Sequence, residues 1–218
     1  MRGLKVLLPF SMTFAVALAG PAAQVSGQPA DPNAADAAVH GPAPALVGVC
    51  FVPARECDTP VVQAIAGART SIRVQAYGFT SQVILQALAD ARARGVDVQA
   101  ILDKSDDKPE REGQRKRHLS GAHFTAEANI PTWIDDSVSI AHNKVIIIDG
   151  HLVVGGSYNY TAAAERRNAE NVTFIDAPVV ADFYLVNWEA RKAVSRLSRY
   201  EPVAEADSPR SLASVNDH

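Results

Sequence analysis

Between Leu46 and Leu102 the chain alternates short apolar runs with amphipathic stretches, and this alternation restricts its folds more than any other feature. Leu46 to Val52 is an apolar run punctuated by Gly48 and Pro53, suited to a buried strand. Asp58 can cap a helix that has Pro60 in its first turn and Val61, Val62, Ile65 and Ala66 on its inner face. Ser71 to Tyr77 reads as a second strand. Thr80 or Ser81 then caps a longer helix with apolar residues at Val83, Ile84, Ala87, Leu88 and Ala91. Gly95 supplies the left-handed residue that ends it, and Val96 to Leu102 is a third strand. Strand, helix, strand, helix, strand predicts an α/β sheet with parallel connections.

The 218 residues allow one sizeable domain. Basic Met1 to Lys5, apolar Val6 to Ala19 and the small residues Gly20, Ala22 and Ala23 follow the order of a secretory signal peptide. The apolar part is shorter than the ~20 residues of a spanning helix, and Pro9 interrupts it. The expected organisation is a signal peptide over 1–27, a flexible linker over 28–45 rich in Ala, Pro, Gly and Asp, a catalytic domain over 46–200 and a disordered tail over 201–218. The mature protein is expected to be periplasmic or secreted, with no stable membrane insertion. Loss of Arg2 and Lys5 with the signal takes the formal charge from -3 to -5, so a domain-wide basic field is absent. A nucleic-acid contact must be local. Arg115, Lys116, Arg117 and His118 offer one such patch, interleaved with Asp106, Asp107, Glu110 and Glu112. Cys50 and Cys57 are the only cysteines, and in an exported chain they predict a disulfide pinning the first strand to the first helix. No nearby histidine or second cysteine pair completes a metal-ligand set.

The densest chemistry lies in Ala141 to Asn171. Val145 to Ile148 ends in Asp149-Gly150, a hairpin signal, and Leu152 to Val154 returns. His142 and Lys144 are two apart and share a face in an extended strand, and Ser157 and Asn159 repeat that spacing on the return. The hairpin thus gathers an imidazole, an ammonium, a hydroxyl and a carboxamide. The imidazole can attack phosphorus while the others hold charge on the equatorial oxygens. Glu170, after a helix over Thr161 to Arg167, can fix the imidazole tautomer. The stretch has no carboxylate cluster for a divalent metal, so neither a metal nor another cofactor is expected.

The pattern His142-x-Lys144-x4-Asp149-x6-Gly156-Ser157-x-Asn159 resembles the HKD motif of the phospholipase D superfamily. With Asn168-Ala169-Glu170-Asn171 it is similar to the small, exported, single-motif bacterial endonucleases of the Nuc type. Val74 to Thr80 extends the likeness, with Gly78 where that family more often has Ser. The resemblance implies a mixed β-sheet sandwiched between helices in a single domain. It also implies metal-independent cleavage of DNA, and of RNA as a further substrate, through a phosphohistidine on His142. Lys144, Ser157 and Asn159 would bind the phosphate, Glu170 would orient the imidazole, and Asp149 would support the site. One motif per chain implies a homodimer with the two His142 residues facing each other across the axis. The rivals are a phospholipase D or phosphatidyltransferase acting on phospholipids, for which no apolar patch stands out, and a non-catalytic nucleic-acid-binding envelope protein.

Val172 to Ile175 reads as a further strand. Pro178 opens a long helix whose stripe of Val179, Phe183, Val186, Ala190, Val194 and Leu197 is expected to cover the sheet. Arg191, Lys192, Arg196 and Arg199 favour its C-terminal dipole.

Overall fold

The computed structural model describes residues 45–107 and 120–200. The signal segment, nearly all of the linker, the Arg115 to His118 patch and the tail lie outside the described residues. In chain order the elements are β1 (Leu46–Val52), α1 (Asp58–Gly67), β2 (Ser71–Ala76), α2 (Gln82–Ala93), β3 (Asp97–Asp103), a 3-10 turn (Lys104–Asp107), α3 (Gly121–Glu127) and β4 (Thr132–Asp135). There follow β5 (Lys144–Ile148), β6 (Leu152–Gly156), α4 (Ala162–Arg167), β7 (Glu170–Asp176), α5 (Pro178–Val194) and β8 (Arg196–Leu197).

All the strands join one sheet in the order β1-β7-β6-β5-β2-β3-β4-β8. β2, β3 and β4 run parallel, as the helical crossovers α2 and α3 require. Every other pairing is antiparallel. The first strand departs from expectation. β1 does not sit beside β2 but at the far edge, paired only with β7, and most of it is exposed. An apolar run of seven residues says "strand" but cannot say which neighbour closes it.

Helices cover both faces. On one, Val61 and Ile65 of α1 and Ile84, Leu85 and Leu88 of α2 pack on Ile72, Val98, Ile146 and other inward residues. Within these helices Ala66 and Val83 point outward, and Leu85 is buried instead, because α2 packs on α1 as well as on the sheet. Asp58 lies in the first turn of α1, and Cys57 is its cap residue. The free N–H groups of Cys57 and Asp58 donate to Glu165 of α4 at 2.9 and 3.3 Å, so the cap comes from a distant carboxylate.

α5 covers the other face, but with the opposite side from that expected. Ala181, Tyr184, Leu185 and Trp188 meet Ile101, Val145, Ile147 and Val153. Trp188 is fully buried, and its indole N–H donates to the carbonyl of Val74 at 3.0 Å. Val179, Phe183, Val186 and Val194 are left exposed, at 38, 36, 48 and 52%. The helix ends at Val194, so Leu197 belongs to β8. Val47, Val49 and Phe51 of β1 are exposed too, and apolar surface that did not stand out in the sequence is therefore present. The basic residues at this end do more than favour a dipole. Arg191 grips buried Asp135 at 2.6 to 2.8 Å, and Arg196 and Arg199 both donate to buried Asp107. These pairs tie the last turn of α5 and the chain after it to β4 and the 3-10 turn. Among the described residues no helix is long and apolar enough to cross a membrane.

Cys50 and Cys57 form the expected disulfide, with Cα atoms 5.8 Å apart. It holds β1 to the start of α1. Replacing both cysteines by serine is expected to lower the unfolding free energy by about 2–3 kcal/mol, as for a short closed loop. Urea denaturation checks the magnitude, and hydrogen exchange is expected to rise first in β1.

Candidate active site

The C-terminal end of β2, the start of β5, the end of β6 and the start of β7 meet at one end of the sheet. Two backbone anchors fix the segment that enters β5. Ala141 N–H donates to Asp103 at 2.8 Å, and Tyr77 N–H donates to the Asn143 carbonyl at 3.0 Å. Between them the His142 ring lies 4.8 Å from the Tyr77 ring, centroid to centroid. The Lys144 ammonium stands 5.3 Å from the same tyrosine ring and donates to the His142 carbonyl at 2.8 Å. Tyr77 thus places His142 and Lys144 side by side. Lys144 is only 7% exposed. Burial draws its ammonium below the usual lysine range, and the negative charge of Glu170 opposes that shift.

The other half of the site is built on β6 and β7. The Ser157 hydroxyl donates to Glu170 at 2.5 Å and accepts from Asn171 N–H at 3.1 Å. The second carboxylate oxygen of Glu170 accepts from the Asn168 amide at 2.8 Å. Gly156 has φ +147, and a Cβ there would collide with the backbone and side-chain oxygens of Asn171, so only glycine lets β6 approach so closely. Tyr158, between Ser157 and Asn159, is buried and donates its hydroxyl to Glu165 at 2.7 Å. Among the described residues, the carboxamide oxygen of Asn159 is buried without a hydrogen-bond partner. An open cleft of ≈ 380 Å³ is lined by His142, Lys144, Gly156, Thr173, Ile175 and Tyr184 among others.

The structure shows what Glu170 and Asp149 touch. Glu170 does not accept from the imidazole of His142. Its carboxylate is taken by Ser157 and Asn168, while His142 rests on Tyr77. Asp149 lies at the opposite end of β5, about 16 Å of strand away from Lys144. There it occupies a left-handed conformation, φ 51, in the turn closed by His151 N–H to Ile148. Its carboxylate accepts the N–H groups of Arg69, Thr70 and Ser71 and the Thr70 hydroxyl, all at 2.8 to 2.9 Å. Asp149 is therefore a lock between the hairpin and β2. Sequence reasoning missed Tyr77, although its segment was noted, because nothing local says that this ring will lie beside a histidine 65 positions later. It also missed Asp103 and Asp106. The latter, buried and pushed up by that burial, accepts N–H groups from Gly78 and Phe79 at 3.3 and 3.4 Å.

A buried ammonium and an imidazole at the rim of this cleft, with a hydroxyl and a carboxamide just beyond the neighbouring end of β6, suit an anion-handling site of the phosphodiesterase kind. Residues 61–191 match the family described as cardiolipin synthase, PLD-like domain. The chain belongs to the phospholipase D superfamily and is a phosphodiesterase, a hydrolase. A phospholipase D from Rickettsia bellii (strain RML369-C) is 46% identical over 147 residues, covering 67% of this chain and 69% of the relative. The crystal structure of Nuc from Salmonella typhimurium, a phospholipase D family member, superposes with a TM-score of 0.62 at 36% identity, over 71% of this chain and 98% of that one. NucT from Helicobacter pylori shares the fold, with a TM-score of 0.59 at 21% identity over 71% and 99%.

The Asp149 lock gives a pH-dependent prediction. The three N–H groups and the Thr70 hydroxyl outweigh burial and hold this carboxyl at about 2, from the usual 3.8. The folded value is the lower one, so its contribution is present above the unfolded pKa and is lost as the pH falls towards 2. With solvent screening allowed for, Asp149→Ala is expected to cost about 1–2 kcal/mol at neutral pH. In thermal or urea unfolding followed from pH 7 downward, the difference from the parent protein should narrow below pH 4.

Proposed function

We propose that the protein is an exported endonuclease that hydrolyses phosphodiester bonds of DNA, and of RNA as a further substrate, without a metal. The observation that carries this reading is the extent of the match to Nuc. This chain spans almost the whole of that structure and has one copy of the motif, as the sequence resemblance to Nuc-type endonucleases implied. In this reading a ring nitrogen of His142 attacks phosphorus, the bond to the leaving oxygen breaks, and a phosphohistidine forms. The leaving oxygen takes a proton from a second imidazole. Water then attacks phosphorus, gives its proton to that second imidazole, and frees His142. Lys144, Ser157 and Asn159 hold the non-bridging oxygens, and Glu170 balances Lys144 and orients Ser157.

The second imidazole comes from a second copy of the chain. The outer stripe of α5, Val179, Phe183, Val186, Ala190 and Val194, recurs at three- and four-residue steps and suits a helix partner. Tyr184 of the same helix lines the cleft, so a two-fold partner seated on α5 would lie close to His142. A phospholipid substrate is the second reading. It is favoured by exposed Val47, Val49 and Phe51, which share a sheet face with Thr173 and Ile175 of the cleft, and by relatives named phospholipase D.

Digestion of plasmid and single-stranded DNA in excess EDTA tests the first reading. Cleavage should survive the chelator and fall by about 10³-fold or more in His142→Ala. Cleavage abolished by EDTA would overturn the metal-free mechanism. Hydrolysis of phosphatidylcholine or cardiolipin with intact DNA would favour the second reading. Phe183→Asp should shift the protein to monomer in sedimentation and reduce DNA cleavage in parallel. A fully active monomer would remove the second imidazole from the scheme.

A further inference from the structure

We infer that Arg55, Arg166 and Arg167 form a basic ridge that carries the phosphate backbone of a nucleic-acid strand away from the cleft. The inference rests on the nuclease reading and names where the substrate lies outside the reacting phosphate. It starts from what the cationic side chains of the described residues do. Arg73 pairs with Asp97, Arg191 with Asp135, and Arg196 and Arg199 with Asp107. Arg92 and Arg94 donate to backbone carbonyls, as does Lys104, while Lys192 donates to Gln99. Lys144 is in the site. The four that remain with no side-chain hydrogen bond or ion pair are Arg55, Arg69, Arg166 and Arg167, and all four residues are exposed.

Their positions are uneven. Arg69 stands at the far end of the sheet, next to the Asp149 lock. The other three stand at the reacting end. Arg55 follows Val52 by three residues, and Val52 is opposite Glu170 in the β1–β7 ladder. Arg166 and Arg167 fill the last turn of α4, immediately before Asn168 and Glu170. Glu165 joins the two segments, because its carboxylate accepts the N–H groups of Cys57 and Asp58 while its helix carries both arginines. The disulfide fixes the same loop from the other side. Glu56 and Asp58 are on this loop, yet neither forms an ion pair with Arg55 among the described residues. In a chain of net charge -3, cations without a side-chain partner at the reacting end of the sheet fit a polyanion longer than one phosphodiester.

The test compares the parent protein with Arg55→Glu/Arg166→Glu/Arg167→Glu and with Arg69→Glu, on a long single-stranded oligonucleotide and on bis(p-nitrophenyl) phosphate. The triple variant should raise KM for the oligonucleotide about tenfold or more with little change in kcat. It should also flatten the salt dependence of log KM by roughly 2, the share of about three phosphate contacts on a single strand. Turnover of the small diester should stay within twofold, and Arg69→Glu should match the parent on both. Unchanged oligonucleotide KM in the triple variant would overturn the ridge while leaving the nuclease reading intact. A parent protein that hydrolyses the small diester but no nucleic acid would overturn both. Parent binding to cardiolipin vesicles but not to the oligonucleotide, lost in the triple variant, would assign the ridge to a lipid surface and overturn the inference. Should the triple glutamate variant fail to fold, the triple glutamine variant, which adds no negative charge beside Glu170, gives the same readout.

Discussion

Every group at the reacting end depends on β5 lying antiparallel against β2 in one register. That pairing sets Lys144 opposite Ala76 at one end and Ile148 opposite Ile72 at the other. A slip of one residue would send the lysine to the opposite face of the sheet, since side chains alternate with period two. The register is held from both ends. Near the cleft, Tyr77 N–H meets the Asn143 carbonyl, and far from it Asp149 gathers three N–H groups and a hydroxyl from Arg69 to Ser71. An aspartate that touches no phosphate is thus part of the reason that the lysine does what its position allows.

The motif residues were legible because their geometry is local. The two-residue spacing and the hairpin turn between β5 and β6 carry His142, Lys144, Ser157 and Asn159 to the same end of the sheet, although only Lys144 lies within a strand. What escaped the sequence was decided by distant contacts. β1 has the composition of a buried strand, yet its place at the edge follows from β7, which lies more than one hundred residues further on. α5 is apolar on two sides, and the amphipathic rule cannot rank them. The side with Trp188 won the sheet because that ring fills the space over β2 and satisfies its N–H on Val74.

The same division runs through the site. Glu170 was found by its motif, but its partners were not, because Ser157 and Asn168 reach the carboxylate through backbone placement that the spacing does not encode. Tyr77 stands beside two functional groups, His142 and Lys144, from the segment that follows β2. Asp103 works at one remove, through the N–H of Ala141. Such residues carry no chemical signature of their own and become visible only once the sheet is assembled.

The pairing of β1 with β7 also dictates when the site can exist. Val52 and Glu170 are neighbours in space and remote in sequence, and the cleft lies beside that junction. Contacts of such separation form late, after the loop between them has been ordered. A nascent chain that has produced His142 and Lys144 but not yet β7 has no Glu170 and no seat for β1. The site is consequently unassembled until β7 has been made and has brought Glu170 to it.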